Sequence, residues 1–190
     1  MDSNLVLKWK GDEHGTIDRA RTRLVAKGYN QVERVDYFYT FAPTSSTTSN
    51  RLVAAMSCKL APDLRHLDVD QAFIQSGLDA EMLLRLTAGC GRLSGKVVRL
   101  NKALHGLKRS GRSWHTLLLS ILVKCGLEQC LVDLCVFRLM ANDEVMAMLL
   151  VYVGGIKIAA TKEITHSVVS GRFQQNIPYE TSWRGYMVHG

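Results

Sequence analysis

Apolar residues along this chain gather into short dense runs with β-like spacing and one long run with helical spacing. The densest is Leu149–Ala160, LLVYVGGIKIAA, in which β-branched and aromatic residues flank two glycines. That pattern predicts a tight β-hairpin whose arms are apolar on both faces and therefore buried on both. Gly154 and Gly155 are expected at its exposed tip. The helical run is Trp114, Leu117, Leu118, Ile121, Leu122 and Cys125, one amphipathic face. Ser110 or Ser113 is expected to cap its start and Gly126 to end it.

The remaining pattern is weaker. Leu5–Lys10 reads as a frayed strand and Gly11–Gly15 as a turn. Ile17–Tyr29 reads as a strand that puts Arg19, Arg21 and Arg23 on one face. A Ser/Thr run over Thr44–Asn50 leads to a helix over Arg51–Leu60, with Leu52, Ala55, Met56 and Lys59 on its inner face and Pro62 as its stop. Arg65–Val69, Lys96–Leu104, Cys135–Met140 and Val145–Val153 read as strands, with a polar turn at Ala141–Glu144 and a loop at His105–Gly111. No repeat or low-complexity linker divides the chain.

With 190 residues, 47% hydrophobic, and only 3 prolines, the chain can bury one core or two small lobes and does not read as disordered. No apolar run approaches the roughly 18 residues that span a bilayer. The first residues, MDSNLVLKWKGDEHG, carry no apolar signal core, so an intracellular location, cytoplasmic or nuclear, is expected, with no membrane partner. The 5 cysteines fit a reducing compartment. Cys125, Cys130 and Cys135 recur at a spacing unlike that of zinc ligands and are expected to be buried thiols.

Charge changes the picture more. The net charge is +7, yet the 46 residues between Glu81 and Glu128 hold no acid and 9 cations: Arg85, Arg92, Lys96, Arg99, Lys102, Lys108, Arg109, Arg112 and Lys124. Such segregation points to a surface for a polyanion, with a solvated basic face as the plain alternative. Lys108, Arg109 and Arg112 stand at the predicted start of the Trp114 helix, where phosphates are well received. Asp68 lies between Leu67 and Val69 in an apolar strand. It is either a metal ligand or a solvent-facing residue on an edge strand, since an unpaired buried carboxylate costs several kcal/mol.

Taken together, RLVAKGYNQ (Arg23–Gln31), VDYFYTFAP (Val35–Pro43), LDVDQAF (Leu67–Phe73), VRLNKALHGLKRSGRSW (Val98–Trp114) and LLVYVGGIKIAA resemble, in order and spacing, the reverse transcriptase domain of copia-type LTR retrotransposons. Glu180 and Trp183 resemble the family's segment after the catalytic hairpin. The resemblance implies an α+β right-hand polymerase with an antiparallel palm sheet packed on helices. Fingers are expected at about residues 1–57 and 79–104, palm at about 58–78 and 105–190. No thumb, ribonuclease H, integrase or protease segment is expected within this stretch.

In such an enzyme two magnesium ions, held by three aspartates, clamp the attacking oxygen and the leaving pyrophosphate. By resemblance Asp68 is the first aspartate and metal ligand, and Phe73 the aromatic residue crowding the 2′ side of the incoming sugar. Arg21, Arg23, Lys27 and Gly106 are implied in nucleotide binding. Lys108, Arg109 and Arg112 are implied beneath an RNA or DNA primer–template copied from dNTPs. Tyr152-Val153-Gly154-Gly155 replaces the family's Tyr-Val-Asp-Asp, so both hairpin aspartates are missing, and Gly111 stands where proline is common. The expectation is a domain that keeps the fold, whose turn glycine suits, and is catalytically dead. The alternative is a non-catalytic nucleic-acid-binding module. A third reading is an active enzyme whose metal site is rebuilt with Asp70 or another acid, although a continuing strand would point Asp70 to the opposite face.

Overall fold

A computed structural model describes residues 1–12, 14–60, 64–168, 173 and 183–187. In chain order the elements begin with β1 (Ser3–Gly11), β2 (Ile17–Ala26), α1 (Thr47–Leu60), β3 (Leu64–Val69) and α2 (Ala72–Gln75). They continue with β4 (Gly77–Arg85), β5 (Val97–Lys102), α3 (Ser110–Lys124), β6 (Glu128–Gln129) and β7 (Val136–Ala141). The last are β8 (Glu144–Tyr152), β9 (Gly155–Ala160), α4 (Lys162–His166) and β10 (Trp183–Met187). The fold is α+β, and every pair of named strands runs antiparallel. The chain packs as two units, Met1–Phe41 with Ser76–Ser113 and Ala42–Gln75 with Trp114–Gly190.

The first unit contains two β-ribbons. In β1–β2, Lys8 stands opposite Arg21 and Lys10 opposite Arg19. Opposed residues share a face, so the three arginines foreseen on one face of β2 are joined there by two lysines. Leu5, Leu7 and Trp9 lie on the other face, opposite Leu24, Thr22 and Ala20. The second ribbon, β4–β5, includes a strand the sequence pattern does not announce. GLDAEMLLR is rich in helix formers, and its alternation covers only Met82, Leu84 and Leu86, which are buried with Ala26 and Leu107. The chain start ties the ribbons together. Arg85 N–H donates to the Met1 carbonyl (2.9 Å), and Ser3 Oγ donates to the Arg85 carbonyl (2.9 Å).

The second unit is a six-stranded sheet in the order β10-β3-β9-β8-β7-β6. One face, formed by Leu67, Val69, Phe137, Leu149, Val151, Ile156 and Ile158, packs on Trp114, Leu118, Ile121, Leu122 and Cys125 of α3. The helix face read from spacing is thus the face that is buried, and Gly126 follows it in the left-handed conformation. The opposite face, with Val136, Leu150 and Ala159, packs on Val53 of α1. Because helices cover both faces, the central residues of the β8–β9 hairpin are buried on both, as expected, with Lys157 the one charged residue in β9.

Several local expectations are corrected. Helix α1 starts at Thr47, earlier than Arg51, because Ser46 Oγ accepts the Ser49 N–H (2.9 Å) and caps it. Among its described side chains the buried ones are Val53 and Ser57, while Leu52 is 52% exposed, and the side chain of Lys59 lies outside the described residues. Packing of Val53 against Val136, Leu150 and Ala159 of the sheet sets that face. At α3, Ser110 is helical and its Oγ donates to the Leu104 carbonyl (2.5 Å) instead of capping. Of the five cysteines only Cys125 and Cys135 are buried, and none is in a disulfide. Strand β3 is not an edge, since β10 and β9 flank it. Pro62 and Glu180 lie outside the described residues.

Candidate functional site

Strand β3 carries Asp68 to the end of the sheet, where it pairs with Gly155 of β9. Pairing of Tyr152 with Gly155 leaves Val153 and Gly154 as the two turn residues, so the glycine pair is not the turn and Gly155 belongs to the strand. The left-handed residue is Val153 (φ 51°), and neither Gly154 nor Gly155 has positive φ. Turn geometry is therefore not what requires glycine at either position. The β-branched Val153 instead carries strain of order 1–3 kcal/mol. Two hydrogen bonds hold the turn down: Val69 N–H to the Gly154 carbonyl (2.9 Å) and the Trp114 indole N–H to the Val153 carbonyl (2.7 Å).

The two glycine positions differ in what they face. A Cβ at Gly154 would lie 3.6 Å from Asp68 Oδ1, 3.3 Å from the Ala72 Cβ and 3.4 Å from the Val69 carbonyl. A Cβ at Gly155 would meet His66 Nε2 at 2.9 Å, so a side chain there needs the imidazole to shift. Asp68 is exposed. Among the described residues no group of three His, Cys, Asp or Glu side chains could hold a metal ion. One exposed carboxylate with glycine at 154 and 155 does not fit a pair of magnesium ions, whose octahedral shells call for clustered oxygen ligands. Asp70 is not on a continued strand. β3 ends at Val69, and Gln71 turns the chain with φ 52°. Phe73, on α2, is half-buried against the α3 core.

The other residues singled out by sequence lie in the first unit. Lys27, Gly106 and Lys108 line one cavity of about 440 Å³ with Asn4, Val6 and Val25. Gly106 has φ 91°, and a Cβ on it would collide with the Ala26 carbonyl. A Cβ on Gly28 would likewise collide with the Gly106 carbonyl, so both glycines permit a close backbone approach. The loop is fastened by Ala26 N–H to the His105 carbonyl (2.8 Å) and Lys108 N–H to Gln31 Oε1 (2.8 Å). Burial first, then the guanidinium charges of Arg23 and Arg21, hold the His105 imidazole below the usual histidine range.

The cations are not equivalent. Arg109, only 14% exposed, is paired with Asp79, and Arg85 and Arg99 face Asp2 (3.9 Å) and Glu81 (3.6 Å). Acids from outside the acid-free stretch thus neutralise part of it. Arg112 lies over the Tyr39 ring (5.3 Å to its centroid) and donates to the Phe41 carbonyl (3.5 Å). Lys108 and Arg23 are exposed and Arg21 is half-buried on the cationic ribbon face. Pattern reading missed Gln31, because its role as a loop clamp depends on a residue 77 positions away.

Residues 2–170 match the family model described as reverse transcriptase (RNA-dependent DNA polymerase). The Retrovirus-related Pol polyprotein from transposon RE2 of Arabidopsis thaliana is 34% identical over 86% of this chain and 12% of that polyprotein. Its counterpart from transposon RE1 is 35% identical over 78% of this chain and 10% of its own length. The polyprotein from transposon TNT 1-94 of Nicotiana tabacum is 30% identical over 80% and 12%. The chain belongs to the reverse transcriptase family of copia-type Pol polyproteins. It spans about a tenth of the length of these relatives.

Proposed function

We propose that this chain is the fingers–palm part of a copia-type reverse transcriptase that has lost polymerisation and retains sequence-independent affinity for nucleic acid. The Met1–Phe41 and Ser76–Ser113 unit takes the part of the fingers, and the six-stranded sheet with its helices that of the palm. The observation that carries the loss is the environment of Asp68: Gly154, whose Cβ would sit 3.6 Å from its carboxylate oxygen, and Gly155 opposite it both lack side chains. Phosphoryl transfer draws its rate from charge neutralisation and positioning around clustered carboxylates. A lone carboxylate supplies little of either.

The retained affinity rests on the ribbon face of Lys8, Lys10, Arg19, Arg21 and Arg23, together with Lys108. In the family reading Arg21, Arg23, Lys27 and Gly106 serve the nucleotide, Phe73 the sugar, and Lys108, Arg109 and Arg112 the primer–template. Of these, Arg109 is already paired with Asp79 and would position the loop more than bind phosphate. The test is primer extension on RNA and DNA templates with magnesium or manganese. No extension is expected. Template-dependent incorporation that Asp68→Ala abolishes would overturn the proposal.

A further inference from the structure

On the Asp68 face of the sheet, a cavity of about 240 Å³ is lined by Asn50, His66, Leu150, Tyr152, Gly155 and Lys157. Pairing of Gly155 with Asp68, Lys157 with His66 and Leu150 with Lys157 puts these residues on one face. The buried Leu150 is its floor, and the His66 ring stands against Gly155, where a Cβ would meet Nε2 at 2.9 Å.

The polar end of the cavity is built in two steps. Lys157 Nζ donates to Asn50 Oδ1 at 2.9 Å. Asn50 is fixed in turn by its Nδ2, which donates to Ser45 Oγ (3.2 Å) and to the Ser46 carbonyl (3.1 Å) at the start of α1. An ammonium group is thus held in place by a neutral amide, with two N–H donors left over. Among the described residues, no aspartate or glutamate lines the cavity. A half-buried cation held by a neutral partner is completed best by an anion, whose charge-assisted hydrogen bonds are about twice as strong as neutral ones.

We propose that this cavity binds a small monocarboxylate of acetate to propionate size. The carboxylate meets Lys157, and the short alkyl group lies against Leu150 and the Tyr152 ring. A larger or multiply charged anion would bring further charge against the apolar Leu150 floor. This site rests on the cavity alone and stands whether or not the chain polymerises.

The experiment compares thermal melts in sodium acetate and in sodium chloride of equal ionic strength, with amide resonances of Gly155 and Lys157 followed in parallel. Acetate is expected to raise Tm saturably in the millimolar range and to shift both resonances. Chloride should do neither. Lys157→Met should lose the response by removing the cation. Gly155→Asp should lose it by filling the site from within. An equal rise in chloride, or an unchanged response in both variants, would overturn the site. Should Lys157→Met fail to fold, absence of a saturable Gly155 shift in the unsubstituted chain would overturn it as well.

Discussion

The Trp114 indole N–H donates to the carbonyl of Val153 at 2.7 Å, joining the first buried turn of α3 to the one left-handed residue of the hairpin turn. The hydrogen bond and the strain act on the same peptide. Trp114→Phe should destabilise the chain by about 2 kcal/mol, from the lost hydrogen bond and the smaller ring. Val153→Gly should stabilise it by roughly 1 kcal/mol, because glycine accepts positive φ and the lost side chain is 46% exposed. Urea unfolding of both variants and their combination checks this. Strict additivity would mean the two residues are uncoupled.

Aspartate restored at position 154 should behave differently from aspartate restored at 155. At 154 the new carboxylate approaches Asp68 and crowds Ala72, so Gly154→Asp should lower Tm in the absence of divalent cations. Magnesium should recover that loss by binding the folded pair. At 155 the new group enters the cavity with His66 and Lys157, so magnesium should matter less. Paired melts with and without magnesium read the difference. Equal magnesium effects in the unsubstituted chain and in the Gly154→Asp, Gly155→Asp double variant would mean that the turn does not face Asp68.

Nucleic-acid binding should follow the exposed cations and not the whole acid-free stretch. Lys8→Ala and Arg19→Ala should each reduce the slope of log K against log salt by about one, as a lost phosphate contact does. Arg109→Ala should leave that slope unchanged and lower Tm, since its charge already answers Asp79. Filter binding across a salt series separates the two classes. A slope insensitive to Lys8 and Arg19 would remove the ribbon from the interface.

His105 makes stability depend on pH. Its imidazole titrates below the ordinary histidine value in the fold, through burial and then through Arg23 and Arg21. The folded chain therefore binds fewer protons than the unfolded one in that window. The contribution is complete above the ordinary value of about 6.5 and is lost as pH falls through the lower folded value. His105→Gln should flatten the melting temperature between neutral and mildly acidic pH, and Arg23→Gln should raise the His105 titration midpoint read by NMR. A midpoint unmoved by Arg23→Gln would contradict the electrostatic cause.

Patterns that repeat along one element are legible in residue spacing. The α3 face and the doubly buried hairpin arms need nothing more, because each packs continuously along its length. The start of α1 depends on the Ser46 cap, and its inner face on the sheet residues that Val53 packs against. Strand β4 depends on a partner. Its helix-favouring residues become a strand only when β5 and the chain start supply hydrogen bonds.

The sequence by itself determined the family, the order of the motifs and the glycines at 154 and 155, since these are properties of residue identity and spacing. Tertiary structure decided what each glycine faces. Gly154 opens toward Asp68, while Gly155, one residue on, opens toward His66 and the cavity that Lys157 shares with Asn50. It also decided which cations stay exposed and which, like Arg109 in the turn before α3, are neutralised by an acid on a distant strand. Successive strand residues face opposite ways, and their neighbours are set by register with segments distant in sequence. Two identical letters in a row therefore stand in different chemical surroundings.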